Sequence, residues 1–270
     1  MTGAKSAVRR YFDREVSGYL EAYRTGRAGD SRHDVFLERR DLVLAMTPAG
    51  AQRVLDIGAG PGVFTSRLLE TGASCWVVDL SFEMVAAARR EVGDAASRVC
   101  FLVGDLDRLP FADGSFDVAL CVGVLQYLPS LEFAFAELAR VVAPGGVVVL
   151  TFPNTRSPLN MLHRLAISGA RASRAIAERL GLVSAVDASR LTFRPDIPNR
   201  WFSAAEIERL ASAGGFAPDR ELYHVLQFPF SVPGLGWLIR GWNRTARGRR
   251  LPGPLASWGR EGIMRLARVK

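Results

Sequence analysis

VLDIGAGPG, at residues 54–62, is the stretch that decides the fold. Its apolar first half has the composition of a buried strand, and the glycines that follow allow a tight turn into a helix with a ligand close to the backbone. A dinucleotide-binding G-x-G-x-x-G would need its third glycine at Val63, and Pro61 lacks an amide donor. The loop therefore predicts a nucleotide-like ligand, but not one that the loop binds through a pyrophosphate group.

Short apolar runs alternate with helical stretches on either side of this loop. Strands are predicted at 53–58, 74–80, 98–105, 116–122, 147–153, 221–228 and 262–269, with a Pro-Gly-Gly turn at 144–146. Alternation of strand and helix implies right-handed parallel crossovers. We therefore predict an α/β fold with a doubly wound, mostly parallel, seven-stranded sheet.

The same patterns divide the chain into four predicted regions. These are an N-terminal helical cap at 1–50 with helices at 5–25 and 33–47, a ligand-binding half of the sheet at 51–153, a helical lid insertion at 154–200, and a C-terminal half at 201–270 with a basic aromatic insertion at 228–260. Ser203, with Glu206 three residues on, predicts the start of a helix in the last region.

Composition narrows the classes of partner and location. A formal net charge of +8 favours anionic partners, without choosing among phospholipids, acidic metabolites and nucleic acid. Cys75, Cys100 and Cys121 lie in apolar runs, so we expect buried thiols and neither a disulfide framework nor a metal site. The N-terminus has no apolar signal region, and no run of 18 apolar residues occurs, so we expect a cytoplasmic protein.

The glycine loop resembles the first motif of class I S-adenosylmethionine-dependent methyltransferases, and four later segments match that family in order. They are VVDLS at 77–81, GDL at 104–106, the run from Gly104 to Pro129 through the fourth strand, and VVAPGG at 141–146. The resemblance is to small-molecule enzymes of the type similar to the ubiquinone- and menaquinone-biosynthesis group. It implies a Rossmann-like methyltransferase fold and S-adenosyl-L-methionine as cofactor, with S-adenosyl-L-homocysteine as product.

The resemblance also implies roles for individual residues. Asp79 would hold both ribose hydroxyls, Asp105 would meet the adenine amine, and Gln126 would face the sulfonium, while the acidic Asp56 suits a ligand that carries a protonated amine. Asp79 as a helix cap remains an alternative, as does a ligand-free turn at the glycines. The predicted cofactor-binding residues are Asp56, Gly58, Ala59, Gly60, Asp79, Leu80, Asp105, Leu106, Cys121, Val122 and Gln126.

The acceptor side carries fewer signals. Methyl transfer mainly needs the nucleophile about 3–3.5 Å from the methyl group, so a base is optional. His163, His224 and Tyr127 are the candidate catalytic residues, each with plain packing as its alternative. The sequence has no Asn/Asp-Pro-Pro-Tyr after strand four and Leu120 rather than proline before Cys121, which disfavours nucleic acid as a substrate. We expect O-methylation of a small or lipid-like metabolite; an RNA methyltransferase and an inactive cofactor-binding scaffold are the alternatives.

The basic aromatic insertion combines tryptophans with an arginine cluster. Trp237 and Trp242 lie beside Arg240, Arg244 and Arg247. Such a combination favours peripheral contact with an anionic membrane surface, at about 1 kcal/mol per cation. A solvated loop over packed aromatic residues and contact with RNA phosphates are the alternatives.

Overall fold

The computed structural model describes residues 3–24, 31–162, 164–165, 197–224 and 257–269. Two helices precede the sheet, and strands and helices then alternate. In chain order the elements are α1 (Gly3–Arg24), α2 (Ser31–Met46), β1 (Arg53–Ile57), α3 (Val63–Glu70), β2 (Ser74–Asp79), α4 (Phe82–Val92), β3 (Val99–Val103), β4 (Phe116–Cys121), α5 (Leu131–Val141), β5 (Val142–Pro153), α6 (Ala204–Ala213), β6 (Phe216–His224) and β7 (Glu261–Arg268). Most of the predicted lid and of the basic aromatic insertion lie outside the described residues.

The seven strands form one sheet in the order β3-β2-β1-β4-β5-β7-β6. β7 runs antiparallel to both of its neighbours, and the other strand pairs are parallel. The predicted doubly wound, mostly parallel seven-stranded sheet is confirmed. Since the strand order reverses at β1, a crevice opens beyond the carboxyl ends of β1 and β4, where such sheets bind ligands.

Apolar layers cover both faces of the sheet. On one face α5 and α6 pack Phe135 and Ile207 against the strands, and on the other α2 and α3 contribute Met46 and Phe64. Serines begin three of the helices: Ser81, Ser130 and Ser203 each accept a hydrogen bond from a backbone N–H inside the following helix. The helix start predicted at Ser203 is confirmed.

Two strands differ from their predicted bounds. β5 includes the Pro-Gly-Gly segment, so the turn predicted at 144–146 is wrong; the pairing with β4 jumps from Val142 to Val147, and Gly145 has a φ of +76°. β6 begins at Phe216, earlier than predicted, because Pro218 is tolerated in a strand at the edge of a sheet. The predicted residues 225–228 of this strand lie outside the described part of the chain.

The cysteines are free thiols in two environments. Cys75 and Cys121 are buried, as expected, but Cys100 is exposed. The prediction was wrong for Cys100 because an apolar run does not ensure burial in β3, which is at the edge of the sheet. Within the described ranges, no helix is long and apolar enough to cross a bilayer.

Candidate cofactor and acceptor site

One cavity lies at the point where the strand order reverses, beyond the carboxyl ends of β1 to β4. Helices α1 and α2 form its opposite wall. Most of the predicted site residues line it: Gly58, Ala59, Gly60, Asp79, Leu80, Asp105, Leu106, Val122, Gln126 and Tyr127. The structure thus brings together predicted residues that are up to 69 positions apart in the sequence, from Gly58 to Tyr127.

At Gly60, the glycine loop lines the cavity with backbone alone. Gly60 has a φ of +53°, and a Cβ added to it would meet nothing closer than the sulfur of Met84 at 4.0 Å. Its N–H donates to Oδ2 of Asp79 at 3.0 Å. Gly60 therefore presents bare backbone to a ligand while tying the loop to the neighbouring strand.

Asp79 ends β2 and is 9% exposed. Its two carboxylate oxygens accept one backbone N–H each, from Gly60 at 3.0 Å and from Ser81 at 2.9 Å. Burial raises the pKa of Asp79 to about 6, and those two hydrogen bonds oppose the shift. Because Ser81 caps α4, the alternative of Asp79 as a helix cap is excluded. Each oxygen keeps acceptor capacity, which fits a pair of ribose hydroxyls.

Asp105 lies just beyond β3, where it contacts α1. Lys5 donates to Asp105 at 2.5 Å and also contacts Asp107, and its side chain is 8% exposed. A second contact lies further along α1, where the Ser81 hydroxyl donates a hydrogen bond to Asp13 at 2.6 Å. α1 is therefore held against the loops that carry Asp79 and Asp105. The sequence signal for Lys5 is its position on the same helical face as Val8 and Phe12, which also line the cavity.

Two predicted cofactor residues, Asp56 and Cys121, do not reach the cavity. Leu55 and Ile57 face the α5 side of the sheet, so alternation turns Asp56 toward α3, where it accepts a hydrogen bond from Thr65 at 2.6 Å. Burial raises the pKa of Asp56 to about 6. Cys121 packs into the apolar layer under α5. Both side chains lie within the protein interior rather than at the ligand crevice.

The other end of the cavity is aromatic, with one cation. Tyr19, Tyr23 and Phe64 line it together with Arg39 of α2. The Arg39 guanidinium lies 4.5 Å from the centroid of the Phe36 ring and donates to the Tyr23 hydroxyl at 3.4 Å. The sequence analysis missed Arg39, since nothing in the pattern of α2 distinguishes a buried arginine from the exposed ones around it.

Two of the three candidate catalytic residues, Tyr127 and His224, belong to the described part of the chain, and they lie at different places in it. Tyr127 lines the cavity and packs edge-on against Phe12, with 5.3 Å between ring centroids. His224 is 2% exposed and lies outside the lining; its Nε2 is 2.9 Å from Glu261, which also contacts Arg39 at 3.3 Å. His163 lies outside the described residues. Across those residues, no group of three or more His, Cys, Asp and Glu side chains could hold a metal ion.

Comparison with known proteins adds family evidence for the central part of the chain. Residues 55–150 match the family described as a methyltransferase domain. A malonyl-[acyl-carrier protein] O-methyltransferase from Erwinia pyrifoliae is 42% identical over 104 residues, which are 38% of this chain and 38% of that protein. A demethylmenaquinone methyltransferase from Beutenbergia cavernae is 38% identical over 115 residues, 42% of this chain and 46% of that protein. The chain thus matches less than half the length of these two relatives.

A solved structure extends the likeness to the whole fold. Magnesium protoporphyrin IX methyltransferase from Synechocystis, crystallised with S-adenosylhomocysteine, superposes with a TM-score of 0.63 at 17% identity, covering 98% of this chain and 99% of that one. The fold is therefore shared along nearly the whole chain. Residues 55–150 thus match a methyltransferase domain, in agreement with the resemblance found in the sequence.

Proposed function

We propose that this protein transfers the methyl group of S-adenosylmethionine to an oxygen atom of a small or lipid-like metabolite. One observation carries the proposal: a single cavity joins the acidic pair Asp79 and Asp105 to an aromatic compartment under α1. The acidic end suits a nucleoside, and the aromatic end suits an apolar acceptor. The names of the two curated relatives, one of them an O-methyltransferase, support this class of reaction.

The protein's part in the reaction is to position the reactants and exclude water. When bound, the cofactor would supply an activated methyl group for in-line attack by the acceptor oxygen. Asp79 and the open backbone of Gly60 hold the nucleoside. The rings of Phe12, Tyr19 and Tyr127 line the aromatic compartment and exclude water from it. The proton of a hydroxyl acceptor leaves to solvent or to a base on the cavity wall.

In this proposal, the predicted helical lid and the basic aromatic insertion form walls of the acceptor compartment. We propose that role for residues 154–200 and 225–260, most of which lie outside the described part of the chain, because these segments follow β5 and β6 in the sequence. Contact of 228–260 with an anionic membrane surface would deliver a lipid-like acceptor. Liposome flotation tests the contact: binding to anionic but not to neutral vesicles at low salt supports it, and equal partitioning contradicts it.

The decisive experiment follows the labelled methyl group. The wild-type protein, with methyl-labelled S-adenosylmethionine, is offered four acceptor panels: carboxylic acids, alcohols and phenols, amines, and RNA. We expect label on an oxygen of the first or second panel. Label only on amines or RNA contradicts the proposal, and cofactor binding without transfer to any panel favours the inactive scaffold.

Asp79→Ala supplies the site control for that experiment. The loss of a buried carboxylate that accepts ligand hydroxyls should weaken cofactor binding by about 10- to 100-fold. Asp113→Ala is the matched variant, since the Asp113 side chain is 82% exposed and pairs with Arg140 away from the cavity. Calorimetry with S-adenosylhomocysteine should separate the two variants; an equal dissociation constant for Asp79→Ala and wild type would remove this site.

A further inference from the structure

Gln126 lies on the opposite side of the glycine loop from Asp79. It belongs to the short 3₁₀ turn Leu125–Tyr127 that follows β4, and β4 pairs with β1 on the side away from β2 and β3. The loops after β1 and β4 pack closely, since a Cβ added to Gly58 would overlap Cγ2 of Val124. Gln126 lines the cavity beyond that contact, and so belongs to the part that a nucleoside at Asp79 leaves for the acceptor.

The side-chain amide of Gln126 has one orientation. Its Nε2 donates a hydrogen bond to the carbonyl oxygen of Gly123 at 3.0 Å. A carbonyl oxygen can only accept, so reversing the amide would set two acceptors against each other. The backbone of the turn is held as well, because the carbonyl oxygen of Gln126 accepts from the N–H of Arg200 at 3.1 Å. The protein therefore fixes the direction of Oε1.

Oε1 of Gln126 is buried and has no hydrogen-bond partner among the described residues. A buried acceptor that stays unpaired destabilises a protein, and native structures contain few of them. Because Gln126 lines the cavity, a ligand there can supply the missing donor. That ligand must carry a hydrogen to donate, since an amide oxygen is an acceptor only.

The charges around the cavity disfavour an ionised acceptor. In the described part of the chain, the basic side chains that line the cavity are Lys5 and Arg39. Each already faces a carboxylate of the protein, Lys5 that of Asp105 at 2.5 Å and Arg39 that of Glu261 at 3.3 Å. A carboxylate acceptor at Gln126 would meet an oxygen that cannot donate and cations that already have counter-ions. A neutral hydroxyl meets neither obstacle.

The wall beside Gln126 is aromatic. Phe12 packs edge-on against Tyr127 and against Tyr19, with ring centroids 5.3 Å and 5.8 Å apart, and all three side chains line the cavity. Such a wall suits an apolar molecular body, so a hydroxyl bound at Gln126 would be the polar group of an otherwise apolar ligand.

We propose that Oε1 of Gln126 accepts a hydrogen bond from the hydroxyl group of the acceptor, and that the site therefore takes an alcohol or phenol in preference to a carboxylic acid. The inference rests on the proposed function, because it needs an oxygen acceptor in this cavity, and it names which of the two oxygen classes binds. A neutral amide takes up no proton, so Gln126 is a positioning residue rather than a base.

A cycle of two ligands and two proteins tests the contact. The ligands are the alcohol or phenol that wild type methylates fastest in the acceptor panels and its analogue with hydrogen in place of the hydroxyl. Calorimetry measures their binding to protein saturated with S-adenosylhomocysteine. Wild type should bind the hydroxyl compound about 10- to 100-fold more tightly than the analogue, and Gln126→Met should reduce this ratio to less than about threefold. Gln52→Met, the same change at an exposed glutamine before β1, is the control and should keep the wild-type ratio.

The ratio separates the contact from any effect on folding, because a partly unfolded sample lowers the stoichiometry and leaves the ratio unchanged. A wild-type ratio in Gln126→Met overturns the inference; if that variant also binds S-adenosylhomocysteine more than about tenfold more weakly, the oxygen serves the cofactor instead. The acceptor panels test the same inference without a variant. Label on a carboxylate oxygen overturns it and leaves O-methylation standing, whereas label only on amines or RNA, or on no panel, overturns the proposed function itself.

Discussion

The two ends of the cavity are built in different ways. At the nucleoside end, Asp79 is the last residue of β2 and Asp105 comes two residues after β3, so the parallel sheet itself brings them together. At the other end, Arg39 comes from α2, Glu261 from β7 and His224 from β6, which meet only in the folded protein. The residues of the nucleoside end belong to local sequence motifs, so they can be predicted from the sequence. The second end depends on tertiary packing of elements that are far apart in sequence.

Gly62 offers the largest expected effect, on the nucleoside end. Its φ is +80°, and an added Cβ would lie 2.9 Å from the Cβ and 3.0 Å from the Cα of Ala88. Gly62→Ala should therefore strain the backbone and push α3 from α4, lowering the free energy of unfolding by about 2–4 kcal/mol. Chemical denaturation with urea measures this loss.

Gly60→Ala is the matched variant for Gly62→Ala. Gly60 shares the positive φ, but its added Cβ points into the cavity rather than into a helix. We expect a smaller loss of stability, about 1–2 kcal/mol, together with weaker cofactor binding. If Gly60→Ala destabilised the fold as much as Gly62→Ala and left the cofactor affinity unchanged, the distinction between a packing glycine and a ligand glycine would be lost.

Lys5→Met tests the contact by which α1 closes the nucleoside end. The change leaves Asp105 and Asp107 close together without their shared cation, so stability should fall by about 1–3 kcal/mol. Arg9→Met, at an exposed position of the same helix, is the control and should stay within about 0.5 kcal/mol of wild type. Thermal and urea unfolding compare the two; equal effects would mean that Lys5 contributes no more than a surface residue.

The pKa values of Asp79 and Asp56 are both raised. The pH dependence of cofactor binding can therefore distinguish the ligand-binding aspartate from the structural one. Since the pKa of Asp79 is about 6, its carboxylate gains a proton as the pH falls from 7 to 5 and loses acceptor capacity. Cofactor affinity should drop by about tenfold over that range. Asp79→Asn should abolish the dependence, and Asp56→Asn should keep it, because Asp56 bonds to Thr65 outside the cavity. Calorimetry across pH checks both; a dependence that vanishes in Asp56→Asn would reverse the assignment.

The difference between the two ends also explains what the sequence could predict. The glycine loop was predicted from its own residues, and Asp79 and Asp105 were predicted from the family resemblance; the structure places all three at one cavity. Asp56 was expected at the ligand because its negative charge suits a protonated amine, yet the alternation of β1 turns its side chain toward Thr65. A strand position alone does not say which face of the sheet a side chain meets.

Arg39 and Lys5 needed tertiary information. Each lies on a helix that mixes apolar and charged residues, and which of the charged residues is buried depends on the segments that lie opposite the helix. Asp105 and Asp107 come from a loop a hundred residues downstream of Lys5, and Glu261 from the last strand of the sheet. The edge position of β3, which exposes Cys100, was likewise a property of strand order rather than of local composition.

His224→Gln has the smallest expected effect on catalysis. It tests whether His224, at the Arg39 end of the cavity, acts as a base. A general base contributes about 10²- to 10⁴-fold to the rate. His224 is buried outside the cavity lining and is bonded to Glu261, so it reaches the cavity only through Arg39. We therefore expect kcat to fall by less than about tenfold, with the larger change in KM for S-adenosylmethionine. Tyr127→Phe, at a residue that does line the cavity, is the comparison. A loss of kcat beyond about 100-fold in His224→Gln, with KM unchanged, would return His224 to the role of a base.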